Sequence, residues 1–252
     1  MYELFVMSLK EYWKDQDENE QEVGQSIQEL QDVLSDHFQK EVRWSEPDVK
    51  SEEDETEIEV DVVDDLQLSS LHAVAAKLEL DGNLDGLELS ADEPWECDVF
   101  DRLSETLEEK ESDIEKFCHI LSIGNSPACF IVPVDLPFVA QINVGDKEEE
   151  SQNDCDCGCE EDDDGSVDIA SLPAIRRELD TIASALKLDT SLSLEDCESI
   201  DFDDEDNLRH AKMGWYIFSH KVNDAIKAKL PLILNFVDDE FDDMDDEDED
   251  EE

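Results

Sequence analysis

Basic residues are scarce in this chain: its 252 residues hold 18 Lys and Arg against 75 Asp and Glu, a formal net charge of −57. A surface of that sign repels phosphate and attracts basic surfaces, so neither direct binding to nucleic acid nor docking on an anionic membrane is expected. Glycine is scarce too, at 8 residues, and none stands in the Gly-rich loop that cradles phosphates. Long apolar runs are missing. No stretch approaches the roughly 20 apolar residues of a membrane-spanning helix, and the opening MYELFVMSLKEYW lacks the basic start and apolar centre of a secretory signal. Catalytic signatures are also missing. Cys118 and His119 are neighbours in sequence rather than partners across a cleft, and His210 and His220 fall on a helical stretch beside Trp215 and Phe218, where packing accounts for them. Of the seven cysteines, Cys97, Cys118, Cys129 and Cys197 stand singly in mixed or apolar surroundings that suit reduced thiols. A non-enzymatic, cytoplasmic protein is the expectation.

What is present is enough apolar residue, 39% of the chain, to build a core, and its periodicity outlines the elements. Residues 1–13 alternate loosely, leaving strand and helical turn both open. Val23, Ile27, Leu30, Val33, Leu34 and Phe38 recur at three and four, the spacing of an amphipathic helix over 20–39. Ile58, Val60 and Val62 alternate with acids as a half-buried strand does, and Ser69 or Ser70 can cap a helix over 71–80 that Asp81 and Gly82 end. A further helix is expected over 100–121, then a buried strand CFIVPV at 129–134 that Pro133 makes short or an edge strand, helices over 171–186 and 207–229, and a last apolar segment LPLILNF. The fold class this predicts is α+β: one domain, residues 1–237, of amphipathic helices with a small sheet. Acidic stretches at 45–57 and 146–168 have the composition of flexible segments, the second holding twelve acids and one lysine. Residues 238–252 form a polyacidic tail too poor in apolar residues to offset its ordering entropy. That tail holds 13 acids and no base, so removing it from −57 still leaves −44 on the body.

Two stretches invite a metal. In an extended NDCDCGCEEDDDG (153–165), Cys155, Cys157 and Cys159 point to one side and offer three thiolates to zinc or copper(I). No fourth ligand lies nearby, and the flanking carboxylates oppose thiolate formation. In LDGNLDGLELSAD (80–92), Asp81, Asn83, Asp85 and Asp92, with the turn glycine Gly86, fit the D-x-N-x-D-G-x5-D pattern of a calcium loop. Against it, the twelfth position is Asp rather than a bidentate Glu, Glu88 occupies the usual apolar position, and Pro94 interrupts the exit helix.

The segment FCHILSIGNSPACFIVPVDLPFVAQI (117–142) resembles a small, uncharacterised bacterial α+β family in which a helix leads through a Ser-Asp-Cys turn into a Pro-Val-Asp strand. The similarity continues in ASLPAIRRELDTIASALKL and AIKAKLPLILNF and covers less than half the chain, with residues 125–129 departing from the family's turn. Some members are immunity-protein-like. The resemblance implies the fold class and brings no established activity.

Together these features point to a non-catalytic, acidic binding protein that masks a basic protein surface, as an immunity protein, a nucleic-acid mimic or a chaperone of basic proteins would. Two alternatives stand beside it. One is a metal- or calcium-binding module using the cysteine loop or Asp81–Asp92; the other is a halophile's protein whose acidity only keeps it hydrated.

Overall fold

The computed structural model describes residues 1–14, 20–47, 59–90, 92–110, 113–143, 166–193, 196 and 206–237. The acidic linker, most of the acidic insertion with its three cysteines, and the terminal polyacid lie outside the described residues. Among the described residues fourteen elements follow one another: β1 (Tyr2–Val6), α1 (Leu9–Lys14), α2 (Glu20–Phe38), β2 (Val60–Val63), α3 (Asp65–Asp81), a 3-10 turn (Pro94–Glu96), α4 (Asp98–Lys110), α5 (Cys118–Ser122), β3 (Ala128–Val132), β4 (Ala140–Asn143), β5 (Ser166–Ser171), α6 (Leu172–Leu186), α7 (Arg209–Ala228) and β6 (Leu232–Phe236). This is the α+β domain the sequence predicts.

The six described strands lie in the order β2-β1-β6-β3-β5-β4, and among them only the β3–β5 pairing is parallel. Helices cover both faces. Cys129 and Ile131 of β3, Ala170 of β5, and Leu232 and Leu234 of β6 enter the larger core under α3 to α7, whereas Phe130, Val132, Ile169 and Ile233 enter a second core under α1 and α2. A strand buried on both faces cannot spare positions for polar residues, so ACFIV reads as a continuous apolar run rather than an alternation.

α3 is the central helix of the larger layer. It begins at Asp65 rather than 71, because Asp64 and Gln67 form a reciprocal capping box, and Ser70 is buried inside it. Its crossing with α7 is close: a Cβ on Gly214 would lie 2.9 Å from the Gln67 carbonyl oxygen. Trp215, next to it on α7, donates its indole N–H to the Leu179 carbonyl of α6 at 2.7 Å, which ties the three helices together.

Several expectations are corrected. Residues 1–13 contain both a strand and a short helix. The helix expected over 100–121 is two helices, α4 and α5. Val33 of α2 is exposed, while Val23, Ile27, Leu30 and Leu34 are buried. In β2 the alternation runs in the opposite phase: Val60 and Val62 are exposed, Val63 is fully buried, and Asp61 meets the buried Lys221 of α7 at 3.2 Å. Residues 45–47 are anchored rather than loose, since Glu46 accepts hydrogen bonds from Leu9 N–H, at 3.0 Å, and from the Trp44 indole. The end of the acidic insertion, 166–168, belongs to β5, and β4 is an additional strand that the sequence does not announce.

Candidate protein-binding surface and a buried polar cluster

Residues 81–115 hold fourteen acids and two bases, and α4 arranges part of them. Val99 and Leu103 bury one face of this helix against the core, with Phe100 and Leu107 packed beside them. Asp98, Asp101, Glu105, Glu108 and Glu109 are all exposed, and their spacings of three, four, three and one set them in a stripe on the opposite side. At about 1.5 Å rise per residue the stripe is roughly 16 Å long. Five charges over that length are set at uneven intervals that average roughly 4 Å along the axis, a linear charge density of the same order as the 3.4 Å per phosphate along one strand of B-DNA. Arg102, the base on this helix nearest the stripe, is turned to Asp81 at 3.0 and 3.2 Å and so does not neutralise it. Trp95, about half exposed at 49%, stands in the 3-10 turn just before α4 and is an exposed amphipathic aromatic near that helix's start.

Asp81, Asn83, Asp85 and Asp92, the calcium-loop residues of the sequence, lie at and after the end of α3. Polar atoms of the first three are occupied by one another and by cations. Asp81 forms ion pairs with Lys77 at 2.7 Å and with Arg102, and these partners hold its carboxyl below the usual range. Asn83 donates to the Asp81 carbonyl and accepts from Asp85 N–H at 2.9 Å, an Asx-type turn. Gly82 and Gly86 take φ of +70° and +71°, the left-handed backbone that such turns need. Cys155, Cys157 and Cys159 lie outside the described residues.

A different group converges in the larger core. Glu178 of α6, 6% exposed, receives the backbone N–H of His119 at 3.3 Å and of Ile120 at 2.7 Å, and its Oε1 lies 3.0 Å from His119 Nδ1. Cys118 Sγ lies 3.3 Å from that same nitrogen. A carboxylate only accepts, so the 3.0 Å contact places a proton on Nδ1. In a nucleophile–histidine–acid relay, thiol and carboxylate hold opposite ring nitrogens. Here both face Nδ1, and Nε2 is buried without a hydrogen-bond partner. Burial, reinforced by the charge of Glu178, also pushes the Cys118 thiol up to about 11, the reverse of an activated nucleophile.

A protein-family model described as "Putative DNA-mimic protein" matches residues 2–234. The chain belongs to that family. No curated protein and no solved structure matches it. Membership in a DNA-mimic family supports a nucleic-acid-like acidic binding protein, and the family's description speaks of mimicry, not of immunity. No helix among the described residues is long and apolar enough to cross a membrane.

The stripe on α4 is legible in the spacing of its acids, but the apolar period runs that helix into the next one. The carboxylates that separate the two helices are not legible. Glu79 of α3 accepts from the N–H groups of Lys116 at 2.8 Å and Phe117 at 3.1 Å, and Glu178 caps the following turn. Between α4 and α5, backbone donors are thus satisfied by side chains distant in sequence rather than by i−4 carbonyls.

Proposed function

We propose that this protein occupies the DNA-binding surface of a basic protein, presenting the α4 stripe in place of one strand of phosphates. The observation that carries this reading is the stripe itself: five exposed carboxylates on one helix, at a linear charge density of the same order as a strand of phosphates, in a chain of the DNA-mimic family. The long-range field accelerates encounter, and the fixed spacing and Trp95 supply selectivity. The partner is a DNA-binding protein whose release is driven by competing duplex DNA, and the mimic acts by steric exclusion without chemistry of its own.

The test is affinity for a basic partner captured from the native host and eluted with double-stranded DNA. Reversing Glu105, Glu108 and Glu109 together to Lys should weaken binding at least about tenfold, roughly 1.4 kcal/mol, and flatten its dependence on salt. Reversing Glu29, Asp36 and Glu41, exposed acids on and just after α2, changes net charge equally and should weaken it less. Equal losses from the two triple variants would show that net charge alone matters and would remove α4 from the interface.

A further inference from the structure

Cys118, His119 and Glu178 offer one ligand atom each, Sγ, Nδ1 and a carboxylate oxygen, all within 4.8 Å of one another. Three donor atoms of different elements gathered this closely can also share one metal ion. For a tetrahedral ion bound at about 2.0–2.3 Å, the edges between donor atoms are roughly 3.3–3.6 Å; Sγ and Nδ1 lie 3.3 Å apart, Nδ1 and Oε1 are 3.0 Å apart, a little closer than that edge, and Sγ is within 4.8 Å of a Glu178 carboxylate oxygen. The donors are also held in place. Glu178 is fixed through Oε2 by the Ile120 N–H, and Glu79 fixes the backbone just before Cys118, the outer support that metal ligands ordinarily have. On its open side the group lines a pocket of about 260 Å³ that Asp135, Pro137 and Arg177 also line.

We infer that Cys118 Sγ, His119 Nδ1 and Glu178 Oε1 bind one Zn²⁺-class ion, with a pocket water in the fourth position. One thiolate, one imidazole and one carboxylate make a borderline donor set that suits zinc over calcium or magnesium. The ion replaces the proton on Nδ1 and the proton on the thiol, and both protons pass to solvent. The site is separate from the α4 stripe and does not depend on the partner reading.

The experiment uses the full chain carrying Cys155→Ser, Cys157→Ser and Cys159→Ser, in physiological salt with excess Mg²⁺ to occupy surface carboxylates. Titration with Co²⁺ should give one equivalent with a thiolate-to-metal charge-transfer band, and Zn²⁺ should displace it. Adding Cys118→Ser should abolish the band and lower Zn²⁺ affinity at least about tenfold, with the circular dichroism spectrum unchanged. Cys97→Ser should leave the band intact. X-ray absorption of the Zn²⁺-loaded parent requires no folding of the Cys118 variant, and should show one sulfur neighbour at about 2.3 Å beside nitrogen and oxygen at about 2.0–2.2 Å. No band in the parent, a band that survives Cys118→Ser, or an all-oxygen shell would overturn the site.

Discussion

His72 of α3 shows how burial at one residue becomes a property of the protein. The residue is partly buried as a whole, but its Nε2 is sealed from solvent without a partner. Desolvation lowers its pKa from 6.5 to about 4, against a smaller opposing effect of its hydrogen bond to the Ile120 backbone. The unfolded chain therefore takes up a proton near pH 6.5 that the folded chain refuses until about pH 4. Stability from this group is complete above pH 6.5 and is lost as pH falls towards 4, by about 3 kcal/mol for that gap. Acidification also relieves repulsion among the carboxylates, which acts the other way, so the wild-type curve must be compared with a variant. His72→Gln keeps a donor and removes the titration. In urea unfolding at pH 7, 6, 5 and 4, the wild type should lose stability relative to this variant as pH drops; a constant difference would show that the histidine takes up its proton equally well in the folded and the unfolded chain.

At the scale of elements, side chains from distant helices decide where the backbone stops and turns. Glu79 and Glu178 satisfy donors between residues 116 and 120 in place of i−4 carbonyls, and a single period of apolar residues is divided between two helices, α4 and α5. The α3–α7 crossing depends on Gly214 in a similar way. With only 2.9 Å between a Cβ at this position and the Gln67 carbonyl oxygen, Gly214→Ala must push rigid backbone apart. The gain in helix propensity, about 1 kcal/mol, is smaller than the overpacking cost, typically about 1–3 kcal/mol. Chemical denaturation should show net destabilisation of up to about 2 kcal/mol, whereas a stabilised variant would mean that the helices separate freely.

For the molecule as a whole, the question is how charge divides between body and tail. Removing residues 238–252 takes away 13 acids of a chain whose net charge is −57. A field from that segment speeds encounter but is screened within about 8 Å at physiological salt, while apolar contact and fixed charge spacing belong to the folded body. Truncation after Val237 should thus weaken partner binding by less than about tenfold, or roughly 1.4 kcal/mol. Surface plasmon resonance should place that change in the association rate, and high salt should remove it. If a peptide of 238–252 binds as tightly as the whole chain, the body is only a carrier.

The sequence by itself determined the charge, the α+β class, the apolar face of α2 from Val23 to Leu34, and the both-sides-buried character of β3, because each is written in composition or in a local period. It also contained the acid stripe on α4, at spacings a helix makes meaningful. Only the tertiary structure decided that Val60 and Val62 face outward, since that phase is set by Lys221 of α7 meeting Asp61. It alone joined Cys118 and His119 to Glu178, 59 residues beyond His119. Local periodicity reports which side of an element is apolar; the partner of a buried polar group depends on chain segments that meet only when the helices pack.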